Sequence, residues 1–374
     1  MASSFDICIR GNGIVGRMLA LLLARERLRV ALVGSPAPAV SSGATSDVRA
    51  YALNAASRSL LESLRCWPQP AAATPVLRMQ VHGDDGGQVV FDATEQGCDA
   101  LNWIVDVPVL EQQLAQAVQF QPLIEPVDSA VPAALTVVCE GKASATRAEF
   151  GVQFDITPYP QHAIAARLDC ERAHGQIASQ WFADGEILAF LPLGGPQGTS
   201  VAVVWSVQEA HAQPRLDASP EEFAALLEVA SHYSLGHLTL VSTRARWPLQ
   251  LAQADRWVGP GWALAGDAAH TVHPLSGQGL NLGLADAAGL AQVLQTRESW
   301  RACGDLKLLR RYERARKADV LTTSLTTDSL QQLFSLAGAP AQALRNWGMS
   351  GFDMSGPLKQ WVARRAMGAA RPAR

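Results

Sequence analysis

The sequence predicts an α/β protein in which a discontinuous dinucleotide-binding half receives an inserted β-sheet and ends in helices. Three observations predict it. Near the N-terminus a strand, a glycine-rich turn, a helix and a second strand follow one another (Phe5–Arg10, then Gly11-Asn12-Gly13-Ile14-Val15-Gly16, a helix through Leu23, and Val30–Val33). Far downstream the apolar run Trp262–Ala265 leads to a second helix, Leu280–Leu294, opened by glycines. Between them lie segments such as Leu77, Met79, Val81 and Phe150, Val152, Phe154, Ile156, whose alternation has the two-residue period of strands.

The first unit is the context in which G-x-G-x-x-G means dinucleotide binding. Gly11 allows the tight turn, Gly13 lets a pyrophosphate approach the backbone, and Gly16 packs helix on strand, with Ile14 and Val15 entering the helix. The acid that usually ends the second strand and takes the ribose hydroxyls falls at Gly34. The ribose is then held by backbone and water, or weakly.

Asn54 caps a short helix that ends before Trp67-Pro68. From Pro75 a hairpin turns at Asp84–Gly87 into Val89–Asp92. Trp103–Val107 leads back, and Pro108 starts a helix with Leu110, Leu114 and Val118 on one face. Thr136–Cys139 is another strand. His162–Leu168, Ile187–Leu193 and Val201–Val207 extend one broad antiparallel sheet, and Ser219-Pro220-Glu221-Glu222 is a capping box for a helix to Ala230. Leu238–Ser242 and Arg244–Leu249 return the chain to the dinucleotide half. Leu306–Phe334 is one long amphipathic helix, followed by Pro340–Trp347 and Leu358–Met367. This assigns 1–74, 102–147 and 248–335 to the dinucleotide half, 75–101 and 148–247 to the β-rich half, and 336–374 to a helical tail.

In Gly266–Asp286, Asp267 stands where a strand ends and Gly277-Gln278-Gly279 opens a helix. A carboxylate there accepts hydrogen bonds from sugar hydroxyls. Glycines at a helix start let backbone N–H groups reach a ligand whose negative charge the helix end favours.

GDAAHTVHPLSGQGLNLGLADA resembles the second FAD-binding motif of the aromatic-ring flavin monooxygenases, which share a p-hydroxybenzoate-hydroxylase-like fold, and is most similar to their ubiquinone-biosynthesis hydroxylase branch. The resemblance implies a Rossmann-like FAD-binding domain. It implies that Asp267, beside Gly266, holds the ribitol chain of FAD, and that the segment from His273 through Gly277, Gln278, Gly279, Leu280 and Asn281 passes beside the isoalloxazine ring. His273 and Pro274 are then the candidate ring-pocket residues. Asp47–Leu53 is similar to a family segment whose arginine lies against the cofactor, so Arg49 is a candidate for a phosphate or ribose contact, with a surface ion pair as the alternative. Glu140 to Arg147 resembles an Asp-Gly motif ending in Ser-x-x-Arg that serves both FAD and the nicotinamide cofactor, and Leu309–Arg316 is similar as well. The chain departs from the family at Gly34, at Val107 where a polar residue is usual, and at Glu140, which follows Val138 and Cys139. Three departures predict an FAD that is partly or wholly lost on purification and regained when FAD is added.

The implied reaction is hydroxylation of a polyprenyl phenol intermediate of ubiquinone biosynthesis, with NAD(P)H and O2, by way of a flavin hydroperoxide. The alternatives are a hydroxylase of a small soluble aromatic and a non-catalytic flavoprotein-like subunit of a biosynthetic complex. A net charge of −3 argues against nucleic acid as a partner. Six scattered cysteines without a C-x-x-C pair suit a reducing cytoplasm, and no metal is expected at His270 and His273, which lack a third ligand. No signal peptide or spanning segment is expected. The tail mixes Trp347, Phe352 and Trp361 with Lys359, Arg364 and Arg365, a composition suited to peripheral contact with the inner face of a membrane. A homo-oligomer or a biosynthetic complex stays open.

Overall fold

A computed structural model describes residues 5–34, 47–83, 86–272 and 277–335. Five parallel strands form its first sheet, in the order Trp262–Leu264, Ala133–Val138, Phe5–Arg10, Val30–Val33, Ile124–Val127, and Val258–Gly259 adds an antiparallel edge. Strands covered on both faces are apolar along most of their length, which is why Ile7–Ile9 and VALV read as runs rather than alternations. Helices Ile14–Arg25 and Gly279–Gln295 pack together, and Met18, Leu19, Leu23, Leu284 and Leu290 are fully buried in the same core.

The second sheet runs His270–Thr271, Ala245–Ala254, Phe154–Cys170, Ser200–Gln208, Glu186–Leu193, Ile177–Ala183, Arg78–His82, Gln88–Asp92, with Leu238–Leu240 paired to the end of Phe154–Cys170. Two corrections to the sequence reading arise here. Of the alternation at Phe150–Ile156, Phe154 and Ile156 join the strand at His162–Leu168 in one 17-residue strand, whose register shifts between Pro158 and His162, whereas Phe150 ends the short helix Thr146–Glu149 before it. The sheet is also not wholly antiparallel, because Ile177–Ala183 runs parallel to Arg78–His82. These two strands are far apart in the chain, so no tight turn dictates their relative direction.

A third sheet, Ala50–Leu53, Asn102–Asp106 and Ala73–Val76, lies between the other two. Its alternation serves two cores: Trp103 and Val105 join the core of the first sheet, while Ile104 and Val76 pack with Ala178, Leu193 and Ala202 of the second. Asn54 caps helix Ala55–Ser63 by accepting from the Ser57 N–H, and Ser219 and Glu222 complete their capping box. The long helix spans Leu306–Ser335. Strands Ala73–Val76, Ile124–Val127 and Ile177–Ala183 and helix Glu209–Asp217 were not foreseen. Pro340–Trp347 and Leu358–Met367 lie outside the described residues. Among the described residues no helix is long and apolar enough to cross a membrane.

Candidate cofactor site

The three glycines of the first loop separate by role. Gly11 has φ +115°, and a Cβ there would lie 2.4 Å from the Cys139 carbonyl oxygen. A Cβ on Gly16 would lie 1.9 Å from the Gly11 oxygen, so helix and strand touch through it. Gly13 differs: a Cβ there would meet nothing within 4 Å. It is the N-cap of Ile14–Arg25, which carries no side-chain cap and no acid in its first turn. The first-turn N–H donors and the positive helix end therefore face a cradle that the chain leaves open.

Ile14 is buried in the core, whereas Val15 is a wedge. A Cβ on Gly266 (φ +63°) would stand 3.3 Å from Val15 Cγ2, and one on Gly283 would stand 2.9 Å from it. The two glycine-rich segments thus interlock on one valine. Gly283, which sequence reasoning did not single out, makes this interlock possible.

Gly266–Ala268 forms a single turn of 3-10 helix. Below it, the fully buried Asp286 carboxylate accepts from Gly266 N–H (2.9 Å), His270 Nε2 (2.7 Å) and Arg316 Nε (2.8 Å). Burial pushes its pKa up, but the His270 and Arg316 charges and hydrogen bonds prevail and hold it below the ordinary value. Tyr312 donates to the Leu264 carbonyl (2.8 Å), and His270 stacks on Trp257. His270 is thus committed to Asp286. From the side, Arg147 donates to the carbonyls of Asp267 (3.4 Å), Ala268 (3.1 Å) and Lys142, with its guanidinium over the Phe154 ring.

The Asp267 side chain itself is half-buried, and among the described residues nothing donates to its carboxylate. Burial raises its pKa, against a partial opposing pull from Lys142 and His270. A desolvated acceptor without a donor fits the hydroxyls of a bound polyol. Gly277 (φ +59°) lies against Ala52, and Gln278 is the N-cap of Gly279–Gln295, again with no side-chain cap and no first-turn acid. Leu280 packs on the core. Two uncapped helix starts and a donorless carboxylate are the complement of a diphosphate and a sugar alcohol. The residues present fit FAD.

Several candidate side chains have other partners. Glu140 accepts from Ser144 Oγ (2.7 Å), Thr146 Oγ1 (2.6 Å) and Thr146 N–H (3.3 Å), and pairs with Arg10 (3.2 Å). Burial raises its pKa, but these hydrogen bonds and Arg10 bring it below the usual carboxylate value. Its carboxylate organises the 140–147 turn. Arg49 donates to both Asp47 oxygens and lies 3.5 Å from Glu111, so the surface ion pair is the arrangement found, because an acid two residues away competes for the guanidinium. Burial pushes the Tyr51 pKa up, with the nearby Arg49 charge pulling against it. Asn281 accepts from Asn54 N–H (3.0 Å) and Ser57 Oγ (2.7 Å) and donates to Ala52 O (2.9 Å). Its amide ties helix to strand, which leaves only its backbone for a ligand. Val107 is the first residue of helix Val107–Gln119 and fully buried in the core. His273 and Pro274 lie outside the described residues.

Comparison with known proteins fits this geometry. The family described as FAD binding domain matches residues 124–323, over half of the chain. The 3-demethoxyubiquinol 3-hydroxylase of Escherichia coli K12 is 31% identical over 391 residues, covering 97% of this chain and 98% of that protein. The chain belongs to the ubiquinone-biosynthesis hydroxylase family of FAD-dependent monooxygenases. Another hydroxylase of this family, ubiquinone hydroxylase UbiL of Rhodospirillum rubrum, is 32% identical, covering 97% of this chain and 89% of UbiL. In solved structures the same fold occurs in p-nitrophenol 4-monooxygenase PnpA of Pseudomonas putida, with a TM-score of 0.76, 18% identity, and coverage of 99% of this chain and 100% of that one.

Proposed function

We propose that this hydroxylase adds one oxygen to the ring of a polyprenyl phenol on the route to ubiquinone, using NAD(P)H and O2. The observation that carries the cofactor placement is the donorless Asp267 carboxylate, locked by Val15 and Gly266 beside the open Gly13 helix start. FAD, when bound, supplies the redox and oxygen-transfer chemistry. The first-turn N–H groups after Gly13 hold its diphosphate, and Asp267 accepts from its ribitol hydroxyls. The backbone of Gly277 to Asn281 orients the ring end. Glu140 and Arg147 act as positioning residues that fix the flanking turns.

The second sheet roofs the site and excludes water. Arg167 is the tie: it donates from that sheet to Asp106 (2.6 Å) in the third sheet and to the Asp47 carbonyl (3.2 Å). This supports a division into an FAD half and an inserted substrate half. The hydrophobic substrate is delivered from lipid, with the 336–374 segment at the membrane surface.

The reading is tested by supplying purified protein with FAD, NAD(P)H, O2 and candidate ring substrates. A polyprenyl phenol should gain one oxygen atom, seen by mass spectrometry, in step with NAD(P)H consumption. Preferred turnover of a small soluble phenol would overturn the substrate assignment, and NAD(P)H oxidation without any oxygenated product would overturn the reaction.

A further inference from the structure

We propose that the Asn12 carboxamide holds the adenosine ribose of FAD, in place of the acid that usually ends the second strand of a dinucleotide fold. The proposal rests on the FAD reading above and concerns this chain's own departure at Gly34. Gly34 follows strand Val30–Val33, and its N–H donates to the Val127 carbonyl (3.3 Å). A Cβ on Gly34 would lie 2.5 Å from Asn12 Nδ2, 3.1 Å from its Cγ and 3.5 Å from its Cβ. The Asn12 side chain therefore lies directly over the Gly34 Cα, at the strand end where the ribose acid is expected.

Two features make this a ligand position rather than a packing accident. Asn12 sits in the loop between Gly11, strained to φ +115°, and Gly13, the residue that opens the diphosphate cradle, so its amide is carried on the loop that meets the cofactor. It is half-buried, and among the described residues its amide makes no hydrogen bond to protein. A carboxamide offers one acceptor oxygen and two N–H donors. A ribose diol both donates and accepts, so an amide can serve both hydroxyls without a charge. Gly34 and Asn12 form one arrangement, since any side chain at 34 occupies the place of the amide.

The experiment is a fluorescence titration of cofactor-free protein with FAD and, separately, with FMN, which lacks the adenosine. Asn12→Ala should raise the Kd for FAD roughly three- to tenfold, the effect of one lost neutral hydrogen bond, and leave FMN unchanged. Gly34→Ala, which touches the cofactor only by displacing the amide, should have a similar effect. The double variant should be no weaker than either single one, because both remove the same contact. Asn12→Asp, which keeps an acceptor, should retain most of the affinity. An unchanged Kd for FAD in Asn12→Ala, an equal loss for FMN, or additive losses in the double variant would each overturn the proposal while leaving the FAD reading intact. Wild-type protein that bound neither FAD nor FMN would overturn the FAD reading itself.

Discussion

Two carboxylates of one segment are driven in opposite directions. Asp286 is buried with His270 and Arg316 and held charged, whereas Asp267 is half-buried without a donor and its pKa rises. The sign of the second shift has a measurable meaning. A carboxylate whose folded pKa exceeds its unfolded one destabilises the fold above that range, and the penalty vanishes as pH falls below the ordinary value of about 4. Asp267→Asn should therefore raise the melting temperature of the FAD-free protein at neutral pH, an advantage that fades towards pH 4. The same change should weaken FAD about tenfold, because a charge-assisted hydrogen bond becomes a neutral one. Unchanged melting and unchanged affinity together would remove Asp267 from the site. At this scale the sequence was partly legible. Motif likeness located Asp267, Glu140 and Arg49, but it could not tell that Ser144, Thr146 and Asp47 would claim the last two. It also counted Gly34 only as a loss, because the side chain that fills its place comes from another strand's loop.

Between elements, the decisive contact is Val15 wedged against Gly266 and Gly283. Alanine in a helix interior is ordinarily better than glycine by roughly 1 kcal/mol. At Gly283 the new methyl would stand 2.9 Å from Val15 Cγ2, tighter than packed atoms tolerate. Overpacking of this kind costs about 1–3 kcal/mol, so Gly283→Ala should lower stability in urea unfolding, and adding Val15→Ala should return most of the loss. A stabilised Gly283→Ala would show that the helices are not pressed together there. Most helices, and the parallel strands Phe5–Arg10, Val30–Val33 and Trp262–Leu264, were readable from their periodicity or their apolar runs. Ala73–Val76 was not, because Pro75 argues against a strand and is tolerated here on a sheet edge. The Asp286, Tyr312 and Arg316 network joins two helices and is invisible to a linear reading. Its one available signal was an acid, Asp286, set in the apolar face of Gly279–Gln295.

For the whole molecule, the third sheet joins the other two: Trp103 and Val105 enter the core of the first, Ile104 and Val76 pack on Ala178, Leu193 and Ala202 of the second, and Arg167 pins the second sheet to it. A substrate that carries a polyprenyl tail would come from lipid. Truncation after Pro357, which removes Trp361, Lys359, Arg364 and Arg365, should reduce flotation of the protein with anionic liposomes severalfold. Flotation equal to that of the full chain would locate the membrane contact elsewhere. The strand order of the first sheet has a further consequence, for synthesis. Phe5–Arg10 is flanked by Val30–Val33 and by Ala133–Val138, and the latter waits in turn for Trp262–Leu264. Most of the second sheet, six of its nine strands, is made between those last two strands. On the ribosome, then, an apolar strand edge stays unpaired through most of translation, a state prone to association with other chains. The nucleotide cleft closes only after Trp262–Leu264 and Gly279–Gln295 are made, so FAD cannot guide the folding that precedes them.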